Sequence, residues 1–348
     1  MKISAVGVGF PAHYYDQTAL IDAANRLWSG RFFNPERLKQ LQTNVLVGGR
    51  HLALPLERYG KVESFSEAND VYIEVATEVG ETALREALTA AGLGPRDIDH
   101  LFFVSVTGIA TPSIDARLVN RMGLRSDIKR TPIFGLGCVA GAAGVARAAD
   151  YVKAYPNEVA VLLSVELCSL TLQRDDLSIA NLIASGLFGD GGAAVVIAGA
   201  NRPERGPRIV ASRSVFYPNT EEVMGWRVTS DGFRVVLSSE VPAMTRHLRG
   251  DAERFLEAHG LGLSDIARFV CHSGGPKVLA GVEEAFGLSR DKLALSWKSL
   301  AEVGNLSSAS VLMVLRDTLA DTTIEPRSHG LMIAMGPGFC SELVLLQW

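Results

Sequence analysis

AGLGPRDIDHLFFVSVTG (91–108) returns 168 positions later as HGLGLSDIARFVCHSGG (259–275), where Gly92, Leu93, Gly94, Asp97 and Ile98 are matched by Gly260, Leu261, Gly262, Asp265 and Ile266. Each copy reads as a helix end, a glycine-bearing stop and a buried strand. The match continues downstream. Gly137-Cys138 and Gly304-Asn305 stand 167 positions apart, each opening a helix. VAVLLSVE from Val159 corresponds to HGLMIAMG from His329, and the two halves close on the strand-like runs GGAAVVIAG and SELVLLQW. The pattern predicts an α/β molecule of two β-α-β-α-β units stacked around a pseudo-twofold axis, with Cys138 and Asn305 at equivalent places.

GANRPERGPRIVAS (199–212), rich in Gly, Pro and Arg, reads as the connector, which places the first half at 1–205 and the second at 206–348. The segment from ALIDAANRLW to ERLKQLQTNVLVGGR precedes the first repeated unit and has no counterpart in the second. After Asn69, the spacing of Val71, Val75, Val79, Leu84 and Leu88 predicts a helix buried along one face.

The 348 residues are 47% hydrophobic and 21% charged, with 34 glycines and a mean hydropathy of +0.17, the balance of a well-packed soluble protein. A net charge of −4 gives no basic field for nucleic acid, and no Lys/Arg block for an anionic membrane. No apolar stretch approaches membrane length and the N-terminus opens straight into KISAVGVGF, so the expected compartment is the cytoplasm. Cys138, Cys168, Cys271 and Cys340 are scattered, mostly in apolar runs, which suits reduced thiols better than a disulfide framework. Cys271 and His272 are adjacent, so on a strand they point to opposite faces and do not make a zinc pair. Gly7, Gly9 and Ala12 spell GxGxxA after a strand, but Pro11 stands where a dinucleotide-binding helix would start.

Three side chains stand out chemically. Cys138 follows a glycine-rich turn at the start of a small-residue helix, where unpaired N–H groups and the helix dipole are expected to lower a thiol pKa. His272 leaves an apolar strand and is followed by Ser273-Gly274-Gly275-Pro276, while Asn305 opens a helix in GNLSSAS. Together they form a candidate acyl-transfer set, although papain-like proteases use the same three residue types. Each has a plainer reading: a packed small hydrophobe for Cys138, a satisfied core imidazole for His272, a helix cap for Asn305.

The runs GCVAGAAG, LFGDGGAAVV, HSGGPKVL, GNLSSAS and GPGFCSELVLLQW, in this order along the whole chain, resemble the signatures of type III polyketide synthases, the chalcone synthase-like family. PLERY from Pro55 and EANDVYIE from Glu67 look closest to the bacterial alkylpyrone and alkylresorcinol synthases. The resemblance implies a thiolase fold in five layers, αβαβα, a homodimer, no cofactor, and acyl-CoA and malonyl-CoA as the molecules it meets. It implies that Cys138 carries the acyl chain and that His272 and Asn305 stabilise the enolate of decarboxylated malonyl-CoA. It also implies a gatekeeper at Phe188, substrate contacts at Val235, Trp226, Thr171, Val106 and Ser307, and CoA contacts at Arg37, Lys39 and Lys277. Val235 stands where the plant enzymes carry a second aromatic gatekeeper, Trp226 where they carry glycine, and Val106 where they carry threonine. The leading expectation is therefore an acyltransferase that loads a long-chain acyl-CoA starter and cyclises to an alkylpyrone or resorcinol. Malonyl priming towards a tetrahydroxynaphthalene-type product is the alternative. A ketoacyl-carrier-protein synthase of the third type would share the fold, but follows its histidine with Gln-Ala-Asn rather than Ser-Gly-Gly-Pro. An idle scaffold would have lost the nucleophile, and Cys138 is present.

Overall fold

A computed structural model describes residues 1–31 and 34–348. Strand β1 (Lys2–Gly9) leads into β2 (His13–Asp16), helices α1 (Gln17–Leu27) and α2 (Pro35–Thr43), strand β3 (Gly49–Leu52) and the single turn α3 (Leu56–Tyr59). The first repeated unit follows: α4 (Phe65–Ala91), β4 (His100–Val104), α5 (Ile114–Met122), β5 (Lys129–Ile133), α6 (Ala140–Ala154), β6 (Val159–Leu167), α7 (Ile179–Leu187) and β7 (Asp190–Ala198). The second half begins with β8 (Arg208–Phe216), the hairpin β9 (Met224–Thr229) and β10 (Gly232–Leu237), and α8 (Leu248–Glu257). It ends with β11 (Ile266–Cys271), α9 (Pro276–Phe286), α10 (Ala294–Val303), α11 (Ser310–Leu319), β12 (His329–Gly336) and β13 (Cys340–Gln347).

The duplication is visible in atomic detail. Gly92 ends α4 and Gly260 follows α8, both at φ 70, a left-handed turn that glycine enters without a Cβ clash. Two residues on, the N–H of Gly94 donates to the carboxylate of Asp97 and that of Gly262 to Asp265, each at 2.7 Å. β4 and β11 then run parallel to β6 and β12 respectively.

β6 is buried at every position, and its alternate residues enter different cores. Val161 and Leu163 pack with Leu84 of α4 and Leu118 of α5, whereas Ala160 and Leu162 join Val145 of α6 and Val311 of α11. In β12, Met332 and Ala334 face that same central core, and Leu331 and Ile333 pack with Leu256 of α8 and Leu279 of α9. The result is five layers, αβαβα, in a thiolase-type fold. Sheets covered on both faces account for the unbroken apolar runs read as strands.

Three details depart from expectation. The two halves do more than stack: their sheets join edge to edge, Lys2 of β1 pairing with Arg208 of β8, in one nine-stranded order β11-β12-β13-β8-β1-β7-β6-β4-β5. The second half has α10 in place of a counterpart to β5. In α4, Val71 and Val75 are only half-buried, and the core face is made by Ala76, Val79, Gly80, Ala83, Leu84, Ala87 and Leu88. Those small residues let β1 approach so closely that a Cβ on Gly7 would lie 2.2 Å from the Ala87 nitrogen, and one on Gly9 would lie 2.3 Å from the Val79 oxygen. The two glycines of the GxGxxA run thus serve packing, and the chain beyond them enters β2. No helix among the described residues is long and apolar enough to cross a membrane.

Candidate active site

Cys138 lies in a single 3-10 turn, Gly137–Val139, that runs directly into α6. Its Sγ is 3.5 Å from the hydroxyl of Ser307, the first residue of the matching turn before α11. The Ser307 N–H donates to Asn305 Oδ1 at 2.8 Å, and the Ser310 hydroxyl donates to the same oxygen at 3.3 Å. With Oδ1 committed to two donors, the amide's orientation is fixed and Nδ2 points the other way, donating to the Gly274 carbonyl at 3.2 Å. Gly274 lies under the imidazole of His272, whose Cδ2 and Nε2 are 3.3 and 3.4 Å from where a Gly274 Cβ would stand. His272 itself extends β11, its N–H donating to Ile333 at 2.9 Å. A continuous run of contacts thus brings all three candidates together across the two halves.

The equivalence of Cys138 and Asn305 is approximate. The helices that follow them start 170 positions apart, at Ala140 and Ser310, so Cys138 sits inside its turn and Asn305 just ahead of its own. That slip frees the Asn305 side chain to hold the turn with Oδ1 while presenting Nδ2. Capping and donation therefore coexist in one amide.

The electrostatics correct the expected thiol. Burial pushes Cys138 up, to about 12, opposed by the Ser307 hydrogen bond and reinforced by the nearby Glu166 charge. Burial also pushes His272 down, to about 4. Helix-start stabilisation does not offset removal from water at a residue only 5% exposed. Burial thus favours the uncharged form of each group, a thiol and a neutral imidazole. His272 Nδ1 is buried without a hydrogen-bond partner among the described residues, so no carboxylate props up an imidazolium as in a Ser-His-Asp triad.

A cavity of about 590 Å³ is lined in part by Phe188, Thr171, Trp226 and Val235, while Cys138, His272 and Asn305 lie behind its wall. Phe188 connects the two: it pairs in parallel with Asn305, whose N–H donates to Leu187 at 2.9 Å and whose carbonyl accepts from Gly189 at 3.0 Å. Trp226 and Val235 are direct partners across the β9–β10 hairpin. Val106, like the three central residues, is buried behind the cavity. It is 2% exposed, lies outside the cavity wall, and uses its N–H to bind Glu166 at 3.0 Å. Ser307 contacts Cys138 rather than the cavity. Arg37 and Lys39 on α2, and Lys277 in the first turn of α9, are exposed cations.

Glu166 and Arg50 are among the buried charged groups that escaped the sequence reading. Glu166, fully buried on β6, accepts from Val106, Thr107 and Ser308, and burial holds it up at about 7. A lone acid inside an apolar strand was its readable signal. Arg50, in GGRHL, binds carbonyl groups at the end of α7. No group of His, Cys, Asp and Glu among the described residues is placed to hold a metal ion.

Residues 1–202 match the family description "Chalcone and stilbene synthases, N-terminal domain", and residues 208–348 match its C-terminal domain. A 1,3,6,8-tetrahydroxynaphthalene synthase of Streptomyces peucetius subsp. caesius is 50% identical, over 100% of this chain and 93% of its own. A phloroglucinol synthase of Pseudomonas fluorescens is 31% identical, covering 98% of this chain and 97% of its own. The crystal structure of 1,3,6,8-tetrahydroxynaphthalene synthase from Streptomyces coelicolor A3(2), a bacterial type III polyketide synthase, superposes with a TM-score of 0.93 at 32% identity, covering 100% of this chain and 99% of that one. With the duplicated five-layer fold and both domain matches in hand, the chain belongs to the chalcone and stilbene synthase family and is a type III polyketide synthase, an enzyme of decarboxylative Claisen condensation on malonyl-CoA.

Proposed function

We propose that this synthase primes with malonyl-CoA and builds a tetrahydroxynaphthalene-type aromatic product. The observation that carries the reading is the 50% identity, along the whole chain, to a synthase named for that product. A naphthalene skeleton divides evenly into two-carbon malonyl units and needs no foreign starter. The cavity supports this choice. Val235 is small, but Trp226 stands opposite it on the hairpin and reclaims the space. The long-chain acyl starter therefore gives way to malonyl priming.

In this mechanism the Cys138 thiol passes its proton to the unprotonated Nε2 of neutral His272 as Sγ attacks the thioester carbonyl, and CoA leaves as its thiolate while His272 keeps the proton as Nε2–H. Thiolate and imidazolium arise together, so their mutual attraction offsets the burial that opposes each alone. A second malonyl-CoA then loses carbon dioxide, and the bonding pair left behind forms an enolate with its charge on the thioester oxygen. Asn305 Nδ2 and His272 Nε2–H donate to that oxygen; losing one such donor typically costs about 3 to 4 kcal/mol. The nucleophilic carbon attacks the Cys138 thioester carbonyl, the C–S bond breaks and Cys138 leaves as a thiolate that takes the proton back from His272; the chain, two carbons longer and now on the extender's CoA, returns to Cys138 for the next round. An amide rather than a carboxylate is required at position 305, because Asp would repel the enolate. Arg37, Lys39 and Lys277 meet CoA phosphates from the surface, and the working assembly is a homodimer, which sedimentation of the purified chain checks.

The test is product formation from malonyl-CoA as sole substrate, compared with a panel of acyl-CoA starters. A single aromatic product with every carbon drawn from labelled malonyl-CoA is expected. Strict dependence on an added acyl-CoA would restore the alkylpyrone reading.

A further inference from the structure

Arg50 is only 4% exposed, and its partners are not carboxylates but the end of a helix. The last carbonyls of α7 are each accounted for. Ser185 O accepts from Arg50 Nη2, and Gly186 O accepts from Arg50 Nη1 and from Gln17 Nε2, the latter at 3.1 Å. Leu187 O accepts from the N–H of Asn305. A cation suits the unpaired carbonyls and negative end of a helix dipole. Although burial lowers it to about 10, the guanidinium remains charged at neutral pH.

Arg50 and Asn305 thus hold the same helix end from two sides. Arg50 also packs against the chain on both sides of the bridge: a Cβ on Gly189 would lie 3.1 Å from Arg50 Cβ, and one on Gly304 would lie 3.7 Å from Arg50 Cδ. Gln17 Oε1 accepts from Arg50 Nη1 at 3.2 Å, and Gln42 Nε2 donates to the Ser185 hydroxyl at 2.9 Å, so α1, α2 and β3 all close on the α7 terminus. Phe188 follows that terminus directly.

We propose that Arg50 is a positioning residue for the condensing site: by binding the α7 terminus it fixes the Phe188–Asn305 bridge, and through it the direction of the Asn305 amide. The inference rests on the reading of Asn305 as the enolate's donor. Arg50 acts through the backbone of the bridge, and its planar fork is what spans two successive carbonyls. A lysine would keep the charge but lose the fork.

The experiment measures carbon dioxide release from malonyl-CoA in a Cys138→Ala background, with and without Arg50→Lys or Asn305→Asp. In parallel, iodoacetamide alkylation of Cys138 is timed in the Arg50→Lys enzyme. Arg50→Lys should lower kcat for decarboxylation at least tenfold, within the ~10²-fold cost of misplacing a catalytic group, and leave KM for malonyl-CoA and the alkylation rate within about twofold. A merely structural role would depress both reactions together, and that result overturns the proposal. Normal decarboxylation by Arg50→Lys, with Asn305→Asp inactive, also overturns it but leaves the Asn305 reading standing. Efficient decarboxylation by Asn305→Asp removes the Asn305 reading and this inference with it. Should Arg50→Lys fail to fold, Gln17→Met, which deletes the second donor to Gly186, should lower decarboxylation about twofold to threefold with the same unchanged alkylation, and no decrease there counts against the proposal.

Discussion

Cys138 and His272 are driven to their uncharged forms by the same burial that keeps water from the reacting atoms. His272 gives this a measurable consequence. Its folded-state pKa, about 4, lies below the ordinary 6.5, so its contribution to stability is present above pH 6.5 and is lost as pH falls through 4. The shift corresponds to ~3 kcal/mol at most. Between pH 7 and 4.5, urea unfolding should show the natural protein losing about 2 kcal/mol more stability than His272→Gln. Glu166 and Asp190, raised by burial to about 7 and about 6, act with the opposite sign but are common to both proteins and cancel in the comparison. Equal losses would mean that the imidazole is not held neutral.

At the scale of elements, the proposed function assigns the choice of starter to the β9–β10 hairpin. Because Trp226 is the direct cross-strand partner of Val235 on the cavity wall, Trp226→Ala should open the channel that the small Val235 alone does not. Each newly buried methylene contributes up to about 0.8 kcal/mol, so kcat/KM for octanoyl-CoA should rise at least tenfold relative to the parent enzyme. A steady-state comparison checks this, and no gain would show that the indole does not border the starter's path. The same scale shows where the sequence was legible. The glycine stops at Gly92 and Gly260 were readable because a left-handed turn leaves a fixed residue type behind. The face of α4 was harder to read, because Ala76, Ala83 and Ala87 carry little hydrophobic signal although they set how closely β1 approaches. Nor did local sequence show α10 standing where the first half has a strand.

Over the whole molecule, the internal repeat made the site partly visible in advance: it placed Cys138 and Asn305 at matched helix starts, and the family motifs added His272. What the repeat could not supply was the meeting of the halves, the β1–β8 junction and the path from Cys138 through Ser307 to Asn305, because those contacts join residues far apart in sequence. The direction of the thiol pKa was misjudged for a related reason, since burial depends on every layer around a residue. The assembled site divides its labour between the halves. On the proposed mechanism Cys138, from the first, receives the acyl group, and His272 and Asn305, from the second, act on malonyl-CoA. The most direct test scores two reactions on two variants: acylation of the Cys138 peptide by mass spectrometry, and carbon dioxide release from malonyl-CoA. Cys138→Ala should lose the acyl adduct and still decarboxylate, whereas Asn305→Asp should acquire the adduct and fail to decarboxylate. An adduct on Cys168, Cys271 or Cys340, or efficient decarboxylation by Asn305→Asp, would contradict the account.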